Sequence, residues 1–242
     1  MKLNTRQENL LQAVVLEHIK SAEPIGSALL SDKYLKDLSS ATVRSEMLEL
    51  SEMGYLSQPH ISAGRLPTEQ AYKYYVNHFL IKMEIKKNIQ PAISLALGRI
   101  LKECQRQDKA DVLAARQLIK NLAKKLSEIS LETIMVAFAP NDFYYTGVSN
   151  LFAKPEFQNQ DLIYNLSAML DNLDQGLEAV FYQVDKDVKI LIGSDNPFCR
   201  DCSSLLAKFN FNNEVLLGIL GPIRMDYETN LALLEFVKEQ LI

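Results

Sequence analysis

The stretch that most limits what this chain can become runs from Leu38 to Pro67, LSSATVRSEMLELSEMGYLSQPHISAGRLP. Ser39 or Ser40 can cap a helix there, because a hydroxyl accepts from the unpaired amides of a first turn. Gly54 can end that helix in a left-handed conformation. Beyond Gly54 the chain reads as a strand, a small-residue turn carrying Arg65, and a proline, Pro67, suited to the first turn of another helix. The segment is a helix followed by a wing.

The helix has two faces. Val43, Met47, Leu50 and Met53 recur at helical spacing and form a packing stripe. Ser40, Ala41, Arg44 and Ser45 fall on the other side, where small residues leave the backbone close to a surface and one arginine projects. An inert surface helix would more often carry several long charged side chains. In a helix-turn-helix the first turns of the second helix reach base edges, and arginine can bond guanine O6 and N7 together. The competing reading is a solvated helix in a module that binds protein rather than DNA.

The preceding residues fit the first view. Leu10, Leu11, Val14, Val15 and Ile19 mark a helix from Thr5, a plausible cap, to Lys20. Pro24 and Gly26 break it, and Ser27 can cap a short helix reaching Tyr34. Three helices with a tight turn between the second and third are a helix-turn-helix, and the strand, turn and strand after Gly54 would make it winged. In the wing, Gly64 permits a positive φ, and Arg65 at the tip can enter a minor groove or meet phosphate, with Ser62 and His60 beside it. Tyr72, Tyr74, Tyr75, Val76 and Phe79 share one face of the next helix and read as core.

These residues carry a family resemblance. Leu38–Met47, Gly54-Tyr55-Leu56, Gln58–Thr68 and Tyr72–Val76 resemble the N-terminal domain of HrcA, the bacterial heat-inducible transcription repressor family, and Glu23–Ser27 resembles its turn before the second helix. The resemblance implies an inverted-repeat operator upstream of chaperone genes, release on heat stress, and a chaperonin partner that keeps the repressor active.

Charge divides along the chain. Lys and Arg number 8 against 9 Asp and Glu over residues 1–81, 11 against 4 over 82–125, and 7 against 17 over 126–242. Contact with DNA must therefore rest on placed residues rather than a broadly basic head. Residues 82–129 read as two helices, and in the second Val112, Ala115, Ile119, Leu122, Leu126 and Ile129 form a heptad seam. Ile119, Leu122 and Leu126 are thus candidate dimer contacts, with Arg116, Lys120, Lys124 and Lys125 near flanking phosphates. Packing inside the chain is the other use of so short a seam.

From Leu131 the period changes. Thr133–Ala139, Ala179–Val184, Val188–Ile192, Leu205–Phe211 and Val215–Leu220 read as strands, with helices at Asp161–Leu173 and Tyr227–Leu241. Gly147–Phe152, Lys154–Phe157, Val188–Asp195 and Gly218–Tyr227 resemble the family's GAF-like domain. One departure stands out. Family members carry a long stretch, with an inserted dimerising domain, before the Gly-Val-Ser-Asn-Leu-Phe segment, and here Pro140–Thr146 bridges that gap. The heptad helix becomes the candidate to replace the missing interface.

Enzymatic readings fare poorly. Cys199-Arg-Asp-Cys202 could ligate zinc or cycle as a redox pair, but Cys104 is remote and no histidine occurs after His78. The glycines of Gly218–Arg224 lack a phosphate-loop lysine. Neither a cofactor nor a metal is expected. Three scattered cysteines, no signal segment and no apolar run of spanning length point to a cytoplasmic protein without membrane contact.

The expected fold class is α+β: a winged helix-turn-helix over 1–81, a basic helical linker over 82–129 and a GAF-like regulatory domain over 130–242. The expected function is a dimeric, DNA-binding repressor of heat-shock genes. Ser39 and Ser40 would position the helix on phosphate, Thr42, Arg44 and Ser45 would approach base edges, and His60, Ser62, Gly64 and Arg65 would form the wing contact. A regulator sensing a small molecule through its GAF-like domain is the alternative.

Overall fold

The computed structural model describes residues 3–80, 93–95, 98, 109–158, 160–185, 187–211 and 213–241. Cys104 and most of the first linker helix lie outside them, as do the side chains of Val112 and Ala115. The chain divides into two compact units, Met1–Ile81 with Ile223–Asp226, and Lys82–Pro222 with Tyr227–Ile242. Helix and sheet are mixed in an α+β arrangement.

In the first unit, helix α1 (Thr5–Ser21) is capped one residue earlier than expected, by Asn4 rather than Thr5. Asn4 accepts from the Gln7 amide while the Gln7 side chain accepts from the Asn4 amide, a reciprocal capping box. Helix α2 (Ser27–Lys33) has Gly26 at its cap position, so Ser27 does not cap; its hydroxyl instead meets Ser40 Oγ at 2.9 Å. Helix α3 (Ser40–Glu52) is capped by Ser39, whose Oγ accepts from the Thr42 amide at 3.1 Å. Gly54 sits just beyond at φ +84°, as the sequence predicts. A two-stranded antiparallel ribbon pairs β1 (Leu56–Ser57) with β2 (Leu66–Pro67). Pro67 therefore ends a strand, and Thr68 caps helix α4 (Glu69–Phe79).

The core of this unit forms where α1 meets α3 and α4. Leu11, Val14 and Val15 of α1, Val43 and Leu50 of α3, and Tyr72 and Tyr75 of α4 are all 2% exposed or less. Each such side chain contributes about 1.5–3 kcal/mol relative to exposure. Polar ties fix the helices against one another. Glu46, buried on α3, pairs with Arg6, and Glu17 of α1 accepts from Lys33 Nζ at 2.6 Å and from the Tyr34 hydroxyl. Those two donors hold the Glu17 carboxyl below its ordinary pKa. Tyr74 donates to Glu8 at 2.7 Å, and burial together with that carboxylate pushes its phenol up to about 12.

The second unit is built on a five-stranded sheet in the order β4-β3-β7-β6-β5, every neighbour antiparallel. Its strands are β3 (Thr133–Ala139), β4 (Asp142–Thr146), β5 (Lys189–Ile192), β6 (Cys202–Phe211) and β7 (Asn213–Pro222). Helix α5 (Lys109–Ser130) packs on β3 and β4. Short α6 (Val148–Phe152), α7 (Gln160–Asp171) and α8 (Leu173–Phe181) come after β4, and α9 (Tyr227–Leu241) lies on β6. The period-two alternation of β3 sends Met135 and Ala137 into a cluster with Leu166, Leu177, Leu206 and Leu220. Ile134 and Val136, on the opposite face, are equally buried, which is why β3 reads as an unbroken apolar run.

Three expectations are corrected here. Ala179–Val184 is not a strand: Leu173, Leu177, Val180 and Phe181 are buried at helical spacing, the first half of the run ends α8 and the rest is a turn. Pro140–Thr146 is more than a bridge, since Asp142–Thr146 forms the second arm of a hairpin, pairing Ile134 with Thr146. The heptad seam is not presented to a second copy. Ile119, Leu122 and Leu126 are 1%, 1% and 0% exposed within the single chain, because their own sheet fills the seam. The basic residues of α5 are also partly committed. Arg116 forms a two-pronged pair with Asp142 at 2.5 and 2.6 Å over the Phe138 ring, Lys120 lies over Tyr144, and Lys125 pairs with Glu128.

Candidate nucleic-acid interface

The exposed face of α3 is made by the residues the buried face leaves over. With Val43, Glu46, Met47 and Leu50 turned inward, Ala41, Thr42, Arg44, Ser45 and Leu48 turn out to solvent. Arg44 takes no carboxylate partner among the described residues. Ser39 and Thr42 exchange a hydroxyl contact of 2.9 Å at the exposed start of the helix, while Ser40 is half-buried on Ser27.

Opposite this face runs the loop between β1 and β2. Gln58 organises it from inside, its Nε2 donating to both the Ile61 and the Ala63 carbonyls at 3.0 Å, and the Ala63 amide donates to His60 O. His60 and Ser62 are exposed, and Ile61 is wholly so. Between helix and loop lies a groove of about 650 Å³, lined by Arg44, Ser45 and Leu48 on one side and Gln58, Ile61 and Ser62 on the other. The structure thus brings the sequence-predicted residues Arg44, Ser45, Ser62, Gly64 and Arg65 around one groove.

Two of the residues expected to form a wing act otherwise. Gly64 does not adopt a positive φ; its requirement is space, since a Cβ there would sit 2.4 Å from the Ile25 carbonyl oxygen and 2.5 Å from its carbon. Arg65 is not at a tip. Its backbone exchanges both hydrogen bonds with Ile25 at 2.9 Å, and its Nη1 donates to Ser51 Oγ of α3 at 2.6 Å. Arg65 therefore fastens the loop to the turn before α2 and to α3. Gln58, Ile61, Leu48 and the Ile25 bridge were not singled out by the sequence, and only an unusual isoleucine in a polar turn hinted at them.

Comparison with known proteins completes the picture. A family model described as the HrcA protein C terminal domain matches residues 74–230. The chain belongs to the HrcA family. Among HrcA relatives, the heat-inducible transcription repressor HrcA of Carboxydothermus hydrogenoformans is 26% identical, the match covering 99% of this chain and 97% of the relative. That alignment runs over 332 positions against a chain of 242, so this HrcA-family chain is the shorter one. The repressor HrcA of Pelotomaculum thermopropionicum is 37% identical over 136 residues, covering 56% of this chain and 36% of the relative. A solved crystal structure of a protein described as hypothetical shares the fold, with a TM-score of 0.71 at 15% identity, covering 99% of this chain and 98% of the other. No described helix is long and apolar enough to cross a membrane.

Proposed function

We propose that residues 3–80 are a winged helix-turn-helix domain and that the chain is a transcription repressor binding duplex DNA. The observation that supports this best is the Arg44 guanidinium, without a carboxylate partner among the described residues, on an exposed, small-residue helix face across a groove from a braced loop. On this reading α3 enters the major groove, Arg44 bonds a guanine, and Thr42 and Ser45 approach neighbouring base edges. Ser39 and Ser40 set the helix on the backbone. His60 and Ser62 approach sugar and phosphate, while Gly64 and Arg65 hold the wing at its distance from α3.

Membership in the HrcA family supports the finer reading: an inverted-repeat operator before chaperone genes, occupied at growth temperature and vacated on heat stress, with the second unit as a GAF-like regulatory domain and a chaperonin as modulator. An inverted repeat needs two copies of the chain about one DNA turn apart, ~34–36 Å. Since the α5 seam is filled, that pairing uses another surface.

The test is binding of the purified chain to duplexes carrying an inverted repeat and to scrambled duplexes across a salt series. Preference for the repeat, with affinity falling steeply as salt rises, is expected. Equal binding to both duplexes, with and without chaperonin, would remove the operator-specific reading.

A further inference from the structure

The Cys199–Cys202 pair lies in the second unit, far in sequence from the groove, and DNA binding gives it no task. Cys199 and Cys202 are both free thiols, the first half-buried and the second fully buried at the start of β6. A tight turn brings them together, with the Cys202 amide donating to the Cys199 carbonyl at 3.2 Å. Only Arg200 and Asp201 separate the two cysteines within that turn. The surroundings treat the two unequally. The Cys202 thiol and the nearby amides lower the Cys199 pKa, whereas the bond to Cys199 and burial hold Cys202 well above its ordinary value.

A half-buried thiol held below its ordinary pKa, three positions from a fully buried one held above it, matches the division of labour between an attacking and a resolving cysteine. A metal site fits less well, for no cluster of three or more candidate ligands occurs among the described residues. We propose that Cys199 and Cys202 form a peroxide-oxidisable dithiol, closing to an intramolecular disulfide that a small thiol reductant reopens. This goes beyond the DNA-binding reading and does not depend on it.

The chemistry balances. The Cys199 thiolate attacks one oxygen of hydrogen peroxide, the O–O bond breaks, and the departing hydroxide takes up the proton that Cys199 released, leaving a sulfenic acid and one water. Cys202 sulfur then attacks Cys199 sulfur. The S–O bond breaks, and the hydroxide leaves with the Cys202 proton as a second water. Two thiols lose two electrons in all, and peroxide gains them. A reducing compartment suits such a pair, since disulfides that form there are usually transient or sensory.

The experiment uses the full chain with Cys104→Ser, so that only this pair remains, and repeats the mapping by peptide digestion on the unaltered chain. At neutral pH Cys199 should alkylate at least about ten-fold faster than Cys202. Brief exposure to hydrogen peroxide should block alkylation of both and lower the intact mass by two hydrogens, and dithiothreitol should restore both thiols. With Cys202→Ser added, the sulfenic acid should persist at Cys199 and be trapped by dimedone. Thiols that both still alkylate after peroxide, faster reaction at Cys202, or a disulfide joining two chains would each overturn the proposal.

Discussion

Helices α3 and α5 make an instructive pair. Each carries an apolar stripe at helical spacing and basic residues beside it, and the sequence offers both as contact surfaces. In the folded chain one remains open and the other is closed. The polar face of α3 keeps Arg44 without a carboxylate among the described residues and looks across a groove. The seam of α5 is filled by its own sheet, and Arg116 is taken by Asp142 and Phe138. Periodicity shows that a helix has something to bury. It does not show whose surface buries it, and the charges beside the stripe acquire a meaning only when that is known.

The largest effect should come from breaking the closed helix. Leu122→Ala removes a buried side chain facing the sheet and should cost about 2–5 kcal/mol in denaturant unfolding, with the oligomeric state at native conditions unchanged. A variant of undiminished stability that shifts to a smaller species in sedimentation would instead make α5 an intermolecular surface. Gly64→Ala tests the bracing of the open one. Its methyl group would press on Ile25 backbone at 2.4 Å, so a loss of about 1–3 kcal/mol in stability is expected, accompanied by weaker DNA binding. Unchanged melting would show that the loop has room to retreat.

Arg44→Ala sharpens the contrast from the other side. This side chain is exposed and takes no carboxylate partner among the described residues, so thermal stability should hold while operator affinity falls by about 1–3 kcal/mol. The same affinity from a folded variant would remove the base contact. The smallest effect is pH-dependent. Because Glu17 has a lowered folded-state pKa, its contribution is complete above the value of an unfolded glutamate and disappears as pH falls through the folded value. The stability gap between the natural chain and Glu17→Gln should therefore narrow on acidification below about pH 4.3. A gap constant between pH 7 and pH 3 would mean that the Lys33 and Tyr34 contacts act through shape alone.

What was legible in the sequence was chemistry that acts over a few residues. The Ser39 cap and the Gly54 stop involve neighbours three or four positions away, and both stand where the letters put them. The long strands β6 and β7 and helix α9 were legible through their periods. The mistakes share a cause, which is a partner distant in the chain. Gly64 was marked as special, but the reason lies at Ile25. Arg65 looked like a projecting cation until Ser51 and Ile25 claimed it. Arg116 looked free because its partner sits in β4, a strand that went unread. The one exception is Ala179–Val184, a run too short to declare a period, where Leu173 and Leu177 just upstream identify the helix that takes its first half.

The bridge between Ile25 and Arg65 has a consequence for how such a surface can change. The spacing between α3 and the loop is set by the main-chain hydrogen bonds of Ile25 and Arg65, by the Arg65–Ser51 contact and by the absence of a side chain at Gly64, not by the exposed side chains that face the groove. The side chains of Ala41, Ser45, Leu48, Ile61 and Ser62 lie exposed on that frame, whereas Thr42 is tied to the Ser39 cap. On the DNA-binding reading, exchanging those five would alter what is recognised without moving the frame that presents it, so that a new target could be acquired one letter at a time while the protein keeps its fold.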